Sequence, residues 1–307
     1  MATTIIEPGM VPPPGAEAPF LRRAGRATVF GERARRFMAL APGHAMEDFL
    51  RFMGHLAEAQ QRTLDAQGAP VLPDAGQIAL CKAHGMPPLG TQTLRRDPSW
   101  REGLHSLLEQ VENPANDATR AAMRRLAALP EADLEAFADR LLSGEYAGLD
   151  LAAAPLVGAA LQVYWVRLAT ALEQADFSRT DVHTLCPACG ALPGASVVRI
   201  GGAEQGLRYL HCSLCASEWN RVRIKCSHCE STRGIAYFGI EGGDEAVKAE
   251  ACDACKSYLK IFYMEKNPAL DPVADDLATL ALDILVDEAG FLRSGPNLLL
   301  FPGAADA

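Results

Sequence analysis

Along the first half of the chain, apolar positions recur at helical spacing. Met46, Phe49, Leu50, Met53, Leu56 and Gln60 follow i, i+3, i+4, i+7 steps and predict one stripe of a helix. Pro130 is placed to open another helix at its first turn, with Leu134, Phe137, Leu141 and Leu142 as its apolar face and Gly144 as its stop. The segment 149–177 is apolar almost all round, as expected of a central helix that others pack against. Little β-branched alternation interrupts this region. Residues 20–180 are therefore expected to form an all-α domain of six or seven helices. Residues 1–19 hold Pro8, Pro12, Pro13, Pro14 and Pro19 and read as an extended arm.

The pattern changes at Cys186. Short β-like runs follow at Ser196–Ile200, Leu207–Leu210, Trp219–Ile224, Gly234–Ile240 and Tyr258–Met264, with Gly201-Gly202 and Gly242-Gly243 placed as hairpin turns. After Met264 the helical pattern returns. Asp271 is a candidate N-cap, Pro272 fits the first turn, and Asp275 and Asp276 sit where the helix dipole favours negative charge. Leu277, Leu280, Ala281, Ile284 and Leu285 form the expected buried stripe, Gly290 ends it, and the tail from Leu298 to Pro302 is apolar enough to dock. The expected architecture is a mainly α N-terminal domain, two tandem small β modules of rubredoxin-like or zinc-ribbon type (181–225 and 226–265), and a C-terminal helix and tail (266–307).

The cysteines change this picture most. Eight of nine form four Cys-x-x-Cys pairs: Cys186/Cys189, Cys212/Cys215, Cys226/Cys229 and Cys252/Cys255. The first four recur forty residues later, and within each repeat the two pairs are twenty-two residues apart. Such a unit supplies four thiolates from two tight turns, as a tetrahedral metal site requires. Sequential pairing gives one site from Cys186, Cys189, Cys212 and Cys215 and another from Cys226, Cys229, Cys252 and Cys255; crossed pairing is the alternative. Zinc staples and iron tetrathiolates share this ligand set, so spacing alone does not choose between them. Each module is too small to hold a core of its own, and a metal would supply folding energy. Replacing Cys189 or Cys229 by Ser is expected to unfold only the local module.

Length and charge narrow the function. At 307 residues the chain can bury a substantial core, and its net charge of −9 argues against a nucleic-acid partner. The N-terminus lacks the basic and apolar regions of a signal peptide, and the apolar run 151–166 is broken by Gln162, so no membrane span is expected. A cytoplasmic setting follows, where paired cysteines favour metal over disulfide. Cys81 reads as a buried, unreactive thiol, and His211 and His228 as neighbours of the sites rather than ligands. Arg221, Arg223 and Lys225 alternate as if along one strand, either a solvated face or a basic strip for an acidic partner. Trp219 reads as core. No phosphate loop, Ser-His-Asp set or paired carboxylates stand out, so no catalytic residue is assigned and the chain is not expected to be an enzyme.

The run Tyr209-Leu-His-Cys-Ser-Leu-Cys-Ala-Ser-Glu-Trp-Asn-Arg-Val-Arg-Ile-Lys-Cys-Ser-His-Cys229 closely resembles the formate dehydrogenase accessory protein family, FdhE. So do the segments 248–260, Ala274-Asp-Asp-Leu-Ala-Thr-Leu280 and Asn297-Leu-Leu-Leu-Phe-Pro-Gly303. The resemblance implies a cytoplasmic maturation chaperone for respiratory formate dehydrogenases. It would bind the catalytic subunit and its twin-arginine signal peptide before export. It also implies that the eight cysteines hold two metal ions, iron rather than zinc, in rubredoxin-like sites. A rubredoxin-like electron-transfer protein acting in formate dehydrogenase activation is the second reading.

Overall fold

Helix α7 (Ala154–Ala171) is the axis of the helical half: fifteen of its eighteen residues are buried. The computed structural model describes residues 18–301, so the prolines at 8, 12, 13 and 14, and Pro302, lie outside the described residues. The other helices of this half are α1 (Val29–Leu40), α2 (Glu47–Ala66), α3 (Ala75–Ala83), α4 (Ser99–Val111), α5 (Asp117–Ala127) and α6 (Glu131–Ser143), of which α2, α4 and α6 pack against α7. Of the stripe expected on α2, Leu50, Met53, Leu56 and Gln60 are buried, Phe49 is half-buried, and Met46 falls just before the helix. Pro130 is the residue just before α6 rather than its first turn, and Gly144 ends the helix at φ 80°. A left-handed C-terminal residue is a position that glycine takes at little cost.

The helical half is not purely helical. A two-residue strand, β1 (Leu21–Arg22), leaves it and pairs antiparallel with β4 (Glu218–Asn220), placing Leu21 opposite Trp219. The remaining strands are β2 (Pro193–Val198), β3 (Arg208–Cys212), β5 (Ile235–Phe238), β6 (Val247–Cys252), β7 (Ser257–Tyr263) and β8 (Leu292–Arg293). Gly201-Gly202 and Gly242-Gly243 lie in the β2–β3 and β5–β6 connections, as their composition suggests. Each repeat contributes three strands, and the order β1-β4-β3-β2-β7-β6-β5 shows that both share one sheet, with β8 added beside β7. The joint is the parallel pair β2·β7, with Ser196 opposite Ile261. The two modules are thus fused, which local patterning cannot reveal because the joint links the first strand of one repeat to the last of the other.

The C-terminal helix also departs from expectation. It breaks at Thr279 (φ −119°) into α8 (Ala274–Ala278) and α9 (Leu280–Glu288). The break resets the buried face: Leu277, Leu282 and Val286 are buried, whereas Ile284 and Leu285 are exposed and Ala281 faces solvent. Lys260 Nζ explains where the carbonyls go, reaching Asp276 O at 2.8 Å and Thr279 O at 3.0 Å. Asp271 does cap the segment, its Oδ1 accepting from Val273 N and Ala274 N at 2.9 and 2.8 Å. Asp275 and Asp276 are buried rather than simply facing a helix dipole. Asp275 pairs with Arg36 and Asp276 with Arg293 at 2.9 Å, tying α8 to both halves. The tail docks as expected, with Leu298, Leu299 and Phe301 buried. A Cβ on Gly158 of α7 would stand 2.3 Å from the Leu298 carbonyl oxygen, so only glycine permits this approach. No described helix is long and apolar enough to cross a membrane.

Candidate metal centres

Four knuckles bring the eight cysteines together in sequential fours. Cys186, Cys189, Cys212 and Cys215 form one group and Cys226, Cys229, Cys252 and Cys255 the other, with the ligand atoms of each group within 4.8 Å of one another. In the first, Cys186–Cys215, Cys189–Cys212 and Cys189–Cys215 sulfurs are 3.6, 3.4 and 3.6 Å apart. In the second, Cys226–Cys255 and Cys229–Cys252 are 3.8 and 3.7 Å apart. A tetrahedron with metal–sulfur bonds of about 2.3 Å has edges of about 3.8 Å. The sulfurs are therefore spaced for a central ion and are not bonded to one another as disulfides. The donor set fits zinc or iron, and all eight cysteines are the candidate ligands.

The backbone builds each knuckle the same way. The residue after the second cysteine has positive φ in all four: Gly190 (73°), Ala216 (54°), Glu230 (62°) and Lys256 (52°). This turn lets the first cysteine's N–H donate five residues ahead, Cys186 to Ala191 O, Cys212 to Ser217 O and Cys226 to Ser231 O, each at 2.9 Å. Backbone N–H groups also reach the sulfurs: Leu214 N and Cys215 N lie 3.4 Å from Cys212 Sγ, and His228 N lies 3.4 Å from Cys226 Sγ. Such donors stabilise thiolate charge.

The two cages differ in surroundings. All four cysteines of the first are at most 1% exposed and belong to the same apolar cluster as α2, α4 and α7. The loop after α3 clasps them: Leu89 N donates to Ala188 O and Thr91 N to Cys189 O, both at 3.0 Å, and Trp165 Nε1 donates to Leu89 O. From α7, Gln162 Nε2 donates to Ser213 O at 2.8 Å, while its Oε1 accepts from Gln60 Nε2 at 3.0 Å. The polar residue that interrupts an apolar helix thus holds the second knuckle. In the second cage Cys229 is exposed and Cys255 half-buried.

Without a cation the thiols resist sharing negative charge. Burial pushes Cys186 and Cys189 up. It works against Cys215 too, but hydrogen bonds from Cys186, Cys189 and Cys212 outweigh it and hold that thiol down. In the open cage burial raises Cys226 to about 12. For Cys255 burial also raises, but Ser257 and Cys229 outweigh it and leave it at about 7. A divalent ion at either centre would remove this opposition to ionisation.

The neighbours fall into place around the cages. His211 is buried and its Nδ1 lies 3.3 Å from Glu218 rather than at a sulfur, and His228 is exposed. Trp219 is core, 4% exposed, with Nε1 donating to His183 O. The basic strip is not a strand: β4 ends at Asn220, and the chain turns so that Arg221 and Lys225 both pair with Glu230. Cys81 is half-exposed, on a helix with no buried residue, rather than sealed in a core.

Three family profiles tile the chain: FdhE N-terminal over residues 18–181, FdhE central domain over 185–223 and FdhE C-terminal domain over 224–300. The chain belongs to the FdhE family. Among its relatives, the protein FdhE homolog of Pseudomonas aeruginosa is 43% identical over 308 residues, covering 99% of each chain. The homolog of Edwardsiella ictaluri is 44% identical over 90% of this chain and 89% of its own. The crystal structure of the Pseudomonas aeruginosa FdhE protein superposes with a TM-score of 0.86 at 43% identity, covering 93% of this chain and all of that one. The family's central and C-terminal profiles divide between Arg223 and Ile224, so each carries one cage.

Proposed function

We propose that the protein is an accessory maturation factor for a respiratory formate dehydrogenase, acting in the cytoplasm and not itself an enzyme. It would bind the catalytic subunit, with its twin-arginine signal peptide, before export. The observation that carries this reading is the FdhE match along the whole described chain, together with two intact four-cysteine cages in one scaffold. On this reading Cys186, Cys189, Cys212, Cys215, Cys226, Cys229, Cys252 and Cys255 are ligands of two metal ions, iron before zinc, and the fused sheet holds both at fixed separation. Deleting the gene in a host with formate dehydrogenases is expected to abolish formate-dependent dye reduction, restored by the wild-type gene. Full activity in the deletion strain would refute it. Copurification of a tagged catalytic subunit, lost when its signal peptide is removed, tests the binding mode separately.

The second reading, electron transfer through thiolate-bound iron, draws support from the second cage, where Cys229 reaches solvent. It expects anaerobically purified protein to redden on oxidation and bleach on reduction. Colourless protein with two zinc ions would dispose of it and leave the maturation role standing.

A further inference from the structure

A cavity of about 490 Å³ lies where α1, the first module and the loop before α8 meet. Six arginines line it: Arg22, Arg23, Arg33, Arg35 and Arg36 from the N-terminal part and Arg199 from the end of β2. Three carboxylates line it with them, Glu32, Glu218 and Asp271. Glu204 and Asp275 pair with Arg22 and Arg36, so six guanidinium groups stand against five carboxylates. In a chain of net charge −9 this is a cluster of ion pairs that does not share the overall negative excess, inside a concave, partly desolvated site.

Most of these arginines are spoken for; half-buried Arg23 and exposed Arg35 are the ones left to meet a ligand. Arg199 and Arg22 hold Glu218. Arg33 is 1% exposed; its Nε meets Asp271 at 3.3 Å, but its Nη1 is buried with no partner among the described residues. His211 Nε2, also lining the cavity, is buried and equally unpartnered. A buried guanidinium N–H left without an acceptor is costly and rare. Arg23 makes only a backbone contact with Leu172 O, and Arg35 makes no hydrogen bond or ion pair among the described residues. Met264, Leu270 and Pro272 supply an apolar wall beside them. A guanidinium fork matches the paired oxygens of phosphate and carboxylate groups. The volume, within the range of small-molecule sites, exceeds what one bare oxyanion fills.

We propose that this cavity binds a small anion through its phosphate or carboxylate groups, with Arg23 and Arg35 as the recognising residues and Arg33 as a buried charge behind them. Its position makes it a joint: a ligand there touches the helical half, the first module and the loop leading to α8 at once. The proposal stands apart from the maturation role.

Calorimetric titration of the full-length protein with pyrophosphate, and separately with succinate, at fixed ionic strength tests it and distinguishes the two anion types. Saturable binding of at least one probe, one per chain, is expected, with a rise in melting temperature. Arg23→Gln and Arg35→Gln should each weaken it about tenfold or more. Arg120→Gln, on the exposed face of α5, should leave it unchanged. Lack of saturable binding by both probes would overturn the proposal. So would binding that the two cavity variants leave intact, or that Arg120→Gln weakens as much.

Discussion

Three residues take a backbone conformation that their side chains disfavour. Ala216, Glu230 and Lys256 are the non-glycine residues with positive φ among those described, and each follows a Cys-x-x-Cys pair. A left-handed non-glycine residue costs roughly 1 kcal/mol, so the knuckle geometry is imposed by the ligands and the sheet rather than by local preference. The fourth such position has glycine, and a Cβ on Gly190 would also meet Pro87 Cγ at 3.2 Å. Gly190→Ala should therefore destabilise by about 1–2 kcal/mol in urea unfolding. Glu218 gives a second test at this scale. Burial opposes its charge, but the hydrogen bond from His211 and the charge of Arg199 outweigh it, holding the carboxyl at about 2 against its ordinary 4.5. A depressed carboxylate contributes stability that is present above pH 4.5 and is lost as pH falls toward 2. Glu218→Gln should flatten the acid limb of stability between these values by up to about 3 kcal/mol relative to wild type. An unchanged acid limb would contradict the assignment.

At the scale of elements, the cages differ in what surrounds them, and this revises the expectation that any ligand change is local. Cys189 lies in the same apolar cluster as α2, α4 and α7 and is clasped through Thr91, so Cys189→Ser should lower the melting temperature of the whole fold. Cys229 is exposed, and Cys229→Ser should cost one metal equivalent while far-UV circular dichroism of the helices is retained. A chelator is accordingly expected to withdraw one metal quickly and the other only at the rate of global unfolding. Equal rates for both would mean that burial does not govern release. How much of this was legible from the chain depends on whether the signal is local. The cages were, because Cys spacing encodes the turn directly, and α2 and α6 were, because their stripes lie within one helix. The break at Thr279 was not: it depends on Lys260, nineteen residues upstream, capturing carbonyls that an unbroken helix would use. Nor was the left-handed turn at Ala216, Glu230 and Lys256, where no glycine marks it. Gln162 was visible as an interruption, but its purpose became clear only once Ser213 was seen against it.

For the molecule as a whole, the parallel pair β2·β7 turns two repeats into a single sheet, and the β1·β4 pair stitches that sheet to the chain's beginning. The β1·β4 pair bears on how the protein is made and dissected. Leu21 leaves the ribosome early, yet the strand it faces, at Trp219, is synthesised almost two hundred residues later. Contacts so distant in sequence slow folding, because loop-closure entropy is spent before they form. A recombinant fragment starting at residue 182, as the family boundaries invite, would leave β4 with a bare backbone ladder and Trp219 without its cover. Such a fragment should associate or precipitate on gel filtration, and a synthetic peptide spanning 18–26, added in trans, should bring it back toward monomer.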